Sequence, residues 1–423
     1  MATLLAALRT GRGRHVAAAV GLAGLSASFL FCGYEFIRSP IESIFIDNFG
    51  AAAKPYALSC VPVMMGLLIY LYGRSLSAFG GARSMAGSML LSSAVFVAAY
   101  FSLDRLGGPM VFFLFVFKES YVVIISEQYW SFIDSVVRDE EGRVFNGPVA
   151  GFGALGSLVG GFLLGRYAVR LHTETFILLS ALCFLPAMAL MWKAYGRAGE
   201  PKPAADEEGG KKGHIHLGIL RENRTVLFIA LTIFSAQVVA TALDLRFSLL
   251  VQDALPDKDL RTAFLGGFWM KVNIFSFSMQ FLFTPLLLRY LSARRILTAI
   301  PVVHIATCAM LLVYPSLGLA SAAFLLFKGM DYSIFRASKE TLYIPFSYDT
   351  RYRAKQVADA FTYRFSKGFT SIVLSIVKSF IAIPVAVYAA TGLAFSTVWF
   401  GFSFPLTAKR AQERKSTGTQ VRG

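Results

Sequence analysis

The sequence predicts an all-α, polytopic membrane protein of about twelve transmembrane helices in two six-helix bundles. Apolar windows, the placement of basic residues and a weak internal repeat carry that prediction. Hydrophobic residues make up 56% of the 423 positions and charged residues only 16%, with a mean hydropathy of +0.58. Soluble domains are nearer a quarter charged, and their helices are apolar on one face only. Here whole windows are apolar all round, at the length that crosses about 30 Å of hydrocarbon. They fall at 16–36, 55–73, 83–103, 109–133, 144–166, 175–195, 225–250, 262–288, 295–314, 317–345, 358–384 and 385–405.

The net charge of +16 raises the question of nucleic acid, and its distribution answers it. With both termini inside, the inner connections hold Arg9, Arg12, Arg14, Arg74, Arg83, Arg138, Arg143, Arg289, Arg294, Arg295, Arg351, Arg353 and Lys355. The central linker and the tail from Lys409 onward add more, while the outer loops hold only Arg38, Lys54, Arg105, Arg166, Arg170, Lys258 and Arg261. That asymmetry is the positive-inside signature, so the basic charge sets topology and no nucleic-acid partner is expected. An inner, cytoplasmic-type membrane or its organelle equivalent is expected, with cytoplasmic termini and the lipid bilayer as partner. Cys32, Cys60, Cys183 and Cys308 all fall within spans and read as buried thiols, not disulfides. The basic N-terminal flank precedes an apolar run too long for a signal-peptide core, so it reads as a retained first helix.

Residues 196–224 break the hydrophobic rhythm with EPKPAADEEGGKKG, a solvated linker at the chain's midpoint. The expected divisions are 1–195 and 225–408 for the two bundles, 196–224 for a cytoplasmic linker and 409–423 for a basic tail. Phe117-Lys118 corresponds to Phe327-Lys328, Tyr121 to Tyr332, and Ser126-Glu127 to Ser338-Lys339. Arg38 likewise matches Arg246, and Arg83 matches Arg294, all at an offset of about 210 residues. Their order and near-constant offset indicate a parallel duplication of six helices, as in the two halves of major-facilitator transporters.

Nine basic residues lie inside the spans: Lys118, Arg246, Lys271, Lys328, Arg336, Lys339, Arg364, Lys367 and Lys378. On insertion scales nine such groups facing lipid would cost roughly 20–30 kcal/mol, so they must meet partners or an aqueous cavity. At 100° per residue, Lys328, Asp331, Tyr332, Phe335, Arg336, Lys339 and Tyr343 share one face of the tenth span. Arg364, Lys367, Ser371, Ser375 and Lys378 form a second polar stripe in the eleventh. Two readings stay open: interhelical salt bridges with Glu35, Glu119, Glu127, Asp244, Asp331 and Glu340, or a substrate path. The surplus of cations over these acids suits an anion with phosphates that Arg and Lys bind well.

Other strings carry less. GFGALG at Gly151–Gly156 matches the dinucleotide fingerprint in letters only, because it lies inside an apolar helix and not in a strand–turn–helix unit. Gly147, Gly151, Gly156, Gly160 and Gly165 fit better as small residues that let helices approach closely. No phosphate-loop motif is present, so ATP hydrolysis is not the expected energy source. His214 and His216 lie in the linker without metal-ligand spacing. His304 reads as a packed histidine. No nucleophile, metal set or acid–base pair stands out, so neither an enzyme nor a cofactor is expected.

The stretch DYSIFRASKETLYIPFSYDTRYRAKQVADAFTYRFSKG at 331–368 resembles the ATP/ADP antiporter family of plastids and obligate intracellular bacteria. Ser338, Lys339, Glu340, Tyr343, Ile344, Pro345, Lys355, Asp359, Arg364 and Lys367 sit at that family's Thr-Lys-Glu-x-x-Tyr-Ile-Pro segment, basic loop, Asp and Arg-x-x-Lys. SEQYW at 126–130, EGRVFNGPVAGFG at 141–153 and YEFIRSPIES at 34–43 are similar to first-half segments of the family. The resemblance implies a major-facilitator-like fold and nucleotide exchange by alternating access, with Lys339 and Glu127 as matched charged positions. The family's helix 7 acid falls at Asp244, its next Trp-Lys is replaced by Arg246-Phe247, and its helix 1 lysine falls on Ile41. Those departures leave the choice among phosphorylated substrates open. The candidate substrate-binding set is Lys339, Glu127, Arg246, Asp244, Lys118, Lys328, Arg336, Arg364, Lys367, Tyr343 and Arg38. Lys339 and Glu127 are expected to face one another from the two halves.

The first expectation is therefore exchange of a small anionic, nucleotide-like solute. A proton-coupled transporter of another solute, titrating Glu127, Asp244 or Glu340, is the alternative. A receptor or scaffold is a third class, disfavoured by the short loops. The oligomeric state is open and a monomer is compatible with the sequence.

Overall fold

In the computed structural model the backbone is described for residues 11–137, 139–199, 218–343, 354–355, 357–358 and 362–420, and side chains for these except 11–14, 139–150, 364 and 407–420. The central linker's 200–217, the 344–353 stretch and the side chain of Arg364 thus lie outside the described residues.

In the first half of the chain the helices are α1 Gly11–Phe49, α2 Lys54–Leu106, α3 Gly108–Val136, α4 Asp139–Leu171 and α5 Thr175–Ala198. After the linker come the short α6 Ile219–Glu222, α7 Arg224–Ala254, α8 Lys258–Ser278 and α9 Thr284–Tyr290. The remainder are α10 Ala293–Val313, α11 Leu317–Met330, α12 Arg336–Tyr343, α13 Tyr363–Phe380 and α14 Ala386–Gln420. Two π-helical turns, Met279–Phe283 and Asp331–Phe335, join α8 to α9 and α11 to α12.

Among the described residues nine helical stretches are long and apolar enough to cross a membrane. The count of about twelve is recovered from three places. α2 runs 53 residues, about 80 Å at 1.5 Å per residue, which no bilayer accommodates as one straight rod. It breaks at Gly80, where φ is +78° and ψ 178°, a conformation open to glycine, so α2 holds the predicted second and third spans. The tenth span (α11, π turn and α12) and the eleventh (α13) fall short of the apolar criterion because they carry Lys328, Asp331, Arg336, Lys339, Lys367 and Lys378.

Several expectations need correction. α1 runs past residue 36 to Phe49, so Arg38 lies within it and not in an outer loop. Lys54, Lys258 and Arg261, also assigned to outer loops, open or enter helices, and Lys54 and Arg261 are buried. Arg166 and Arg170 likewise lie on α4. Of the four thiols only Cys308 is buried; Cys32 and Cys183 are half-buried and Cys60 is exposed.

The chain divides into two compact units. The first gathers Met1–Ala53, Cys60–Lys211 and Leu255–Asn273, and the second gathers Lys54–Ser59, Lys212–Ala254 and Ile274–Gly423. In the first, α1 packs against α3, α4 and α5. Glycines permit the approach of α4 to α1. A Cβ at Gly156 would lie 2.1 Å from the Ser28 carbonyl oxygen, and one at Gly160 would lie 2.8 Å from that of Cys32. Gly161 and Gly165 turn to α8 instead, whereas a Cβ at Gly151 would meet nothing within 4 Å. Serine hydroxyls tie the same helices across the interior, Ser28 to the Phe152 carbonyl at 2.8 Å and Ser180 to that of Gly33 at 2.7 Å. In the second unit α7 is central, packed on α11, α13 and α14, with α10 against α14.

Candidate functional site

The first unit holds three of the candidate residues. Lys118 on α3 is 2% exposed, and its Nζ lies 3.3 Å from Glu42 Oε2 and 3.1 Å from Glu119 Oε1. Arg38 lies over the ring of Trp269 at 3.1 Å to the centroid, with its Nη1 4.0 Å from Glu35 Oε1. Glu127 is exposed on α3.

In the second unit Asp244 pairs with Lys54, a residue the sequence reading assigns to a loop. Lys54 Nζ donates to Asp244 Oδ1 at 3.1 Å and to Ser248 Oγ at 2.7 Å, and Lys54 is 1% exposed. A lysine opening an apolar run before Pro55 looks like a loop residue, and nothing nearby in sequence points to its partner. Arg246 is buried, and its Nε has no hydrogen-bond partner.

The tenth span carries the densest charge. Lys328, Lys339 and Arg336 all act electrostatically on Asp331, whose Oδ2 is buried without a partner. Lys328 Nζ lies 5.6 Å from the Phe324 ring, 6.0 Å from Phe327 and 5.5 Å from Tyr332, and Lys339 Nζ lies 5.9 Å from Phe335. The expectation of one continuous polar face is corrected here. The π turn at Asp331–Phe335 adds a residue to one turn and rotates the helix beyond it, as π-bulges do. Tyr332 and Arg336 are exposed, while Phe335 and Tyr343 are buried. Tyr343 also lies 5.6 Å from Lys355 Nζ, which pairs with Glu340 at 2.6 Å. On α13, Lys367 and Lys378 are half-buried and Ser371 and Ser375 buried, so the polar stripe holds where side chains are described; Arg364 lies outside them. Lys271 is exposed on α8.

His304 is buried as expected of a packed histidine, its ring 4.9 Å from Phe327 and 5.6 Å from Trp399. No group of three or more metal-ligating side chains occurs among the described residues.

No profile of a known protein family matches the sequence, and no curated protein does. Solved structures do match it in fold. The nucleoside transporter NupG aligns with a TM-score of 0.65 at 12% identity, covering 92% of this chain and 98% of that one. A bacterial homologue of the iron transporter ferroportin, in an inward-facing state, gives 0.68 at 12%, covering 93% and 98%. The D-xylose-proton symporter gives 0.62 at 12%, covering 92% and 98%. With nearly the whole chain covered in each, this protein has the all-α, polytopic fold of those structures, with about twelve spans.

Proposed function

We propose that this protein is a secondary transporter that moves a small anionic solute, of the nucleotide or another phosphorylated class, by alternating access. The observation that carries the anionic class is the gathering of Lys328, Arg336 and Lys339 around the carboxyl of Asp331 in the tenth span. Among the described residues the cations that act on Asp331 outnumber it, and phosphate oxygens are strong acceptors for both Lys and Arg. Buried Arg246 and the α13 stripe of Lys367 and Lys378 add to it in the same unit. The shared fold with transporters of nucleosides, iron and xylose supports movement of a small solute, and the resemblance of 331–368 to the ATP/ADP antiporters narrows it to nucleotides. The protein sits in an inner or equivalent organelle membrane with both termini cytoplasmic, a placement supported by the basic inner connections.

The test is a panel of nucleotides, sugar phosphates and organic acids on purified protein, read first as thermal stabilisation. A specific ligand at a hundredfold excess over Kd contributes about 2.7 kcal/mol. The stabilising anion is then loaded into proteoliposomes and counted in exchange. Stabilisation by neutral sugars or by cations, with none from anions, would overturn the anionic class. A second reading, proton-linked movement of another solute, is favoured by the carboxyl of Glu35, buried in the first unit with one oxygen unpartnered.

A further inference from the structure

Glu35 lies near the middle of α1 and is 1% exposed. Its Oε1 accepts from Asn273 Nδ2 at 3.0 Å, while its Oε2 is buried without any partner. The cation beside it, Arg38, stands 4.0 Å off and lies over the Trp269 ring. The other groups facing the carboxyl are uncharged or weakly acidic. They are Cys32 of α1 and Tyr121 of α3, with Tyr34 and Cys183 next to these two, while α4 presents Gly160. The Tyr121 hydroxyl is itself buried without a partner. A carboxylate so placed is neither solvated nor fully neutralised, and a buried acid in this position calls for a further positive species. The open oxygen has room in its bonding for one proton, and among the described residues no second cation acts on it.

The same residue ends a polar seam between α1 and α8. From Glu35–Asn273 the seam continues through Arg38–Trp269 to Arg261, which donates to Ser43 Oγ and Asp47 Oδ1, each at 3.1 Å. Residue numbers rise along α1 as they fall along α8, so the seam is antiparallel and spans about 18 Å. Asn273 is also the last α8 residue of the first unit; from Ile274 the helix belongs to the second.

We propose that Glu35 is a proton-binding site whose occupancy sets the deep end of the α1–α8 seam. The proton comes from the aqueous phase to Oε2 and turns that oxygen from an acceptor into a donor, within electrostatic reach of the Tyr121 hydroxyl. Neutralisation releases the attraction on Arg38 and leaves the Asn273 bond as an ordinary neutral one. Combined with the transport reading, on which only this consequence rests, solute movement becomes linked to protons.

Trp269 is a built-in reporter, because Arg38 contacts both its ring and Glu35. The chain has 4 tryptophans, so replacing Trp130, Trp192 and Trp399 by Phe leaves Trp269 alone. Its emission is titrated from about pH 4 to 9, a range that covers carboxyl titration in water and in protein interiors. The expected result is one sigmoidal change, lost in Glu35→Gln and kept in Asp104→Asn, an exposed acid of the same unit. Should Glu35→Gln fail to purify as a folded species, Glu35→Asp must keep the change at a displaced midpoint. A change that persists in Glu35→Gln, or a flat titration in the parent, overturns the proton site. The titration uses no solute, so it stands or falls apart from the exchange panel that decides the transport reading.

Discussion

Lys118 and Lys328 fall at matching places of the repeat expected from the sequence, yet their surroundings differ in kind. Lys118 is buried between two carboxylates, Glu42 and Glu119. Lys328 is half-buried among the rings of Phe324, Phe327 and Tyr332, and shares Asp331 with Arg336 and Lys339. Paired charges occur elsewhere in both units, Lys54 with Asp244 in the second among them. In the first, Arg261 meets Asp47, Lys258 meets Glu174, and Asp259 accepts from Thr173 and contacts His172. A cation matched by its own acids inside a membrane protein is a fixed structural element. On the proposed reading, the cations gathered at Asp331 also meet the solute, and the second unit is the one whose charge balance suits an anion.

The largest expected effect tests the structural side. Lys118→Ala removes the buried cation that Glu42 and Glu119 share, and removing one partner of a buried pair costs about 3–5 kcal/mol. Lys328→Ala leaves Asp331 with Lys339 and Arg336 and is expected to change stability by less than about 1 kcal/mol. Thermal unfolding of both variants in the same detergent measures the difference. Equal losses would dissolve the contrast.

The reach of each signal decides how much was legible in the sequence. Hydropathy is local, so most spans were legible to within a few residues, although α1 runs on from the predicted 36 to Phe49. The glycine run of α4 was legible as a packing surface, although Gly151 packs on nothing and Gly156 and Gly160 carry the close contact. Pairings across the chain were not. Lys54 with Asp244 and Glu35 with Asn273 join residues about two hundred positions apart, and neither leaves a periodic trace. The π turn at Asp331–Phe335 also escaped, because a uniform 100° step cannot foresee an inserted residue. Around it Tyr332 and Arg336 are exposed while Phe335 and Tyr343 are buried.

The next effect sharpens the functional side. Charge-assisted hydrogen bonds contribute about 1.5–3 kcal/mol each, so Lys328→Ala and Lys339→Gln should each weaken the bound anion by roughly ten- to a hundredfold. The readout is the concentration dependence of thermal stabilisation by whichever anion the panel identifies. Lys118 is held by its own two acids, so Lys118→Met should leave that affinity unchanged in whatever fraction remains folded. A loss of affinity at Lys118 equal to that at Lys339 would show that both repeats contribute cations to the solute.

The smallest expected effect separates near charge from distant charge within the second unit. Arg336 is exposed, whereas Lys328 and Lys339 are half-buried beside aromatic rings. An exposed charge acts through solvent, where the screening length is about 10 Å at 0.1 M salt and about 3 Å at 1 M. Arg336→Gln should therefore lower anion affinity only a few-fold at low ionic strength, with the deficit closing as salt is raised. The losses from Lys328→Ala and Lys339→Gln should persist at high salt, because groups half-shielded by protein are screened less. Anion titrations of the three variants at two salt concentrations measure this directly. If the Arg336→Gln deficit survives salt of about 1 M, the guanidinium touches the solute itself, and the contrast between near and distant charge has to be redrawn.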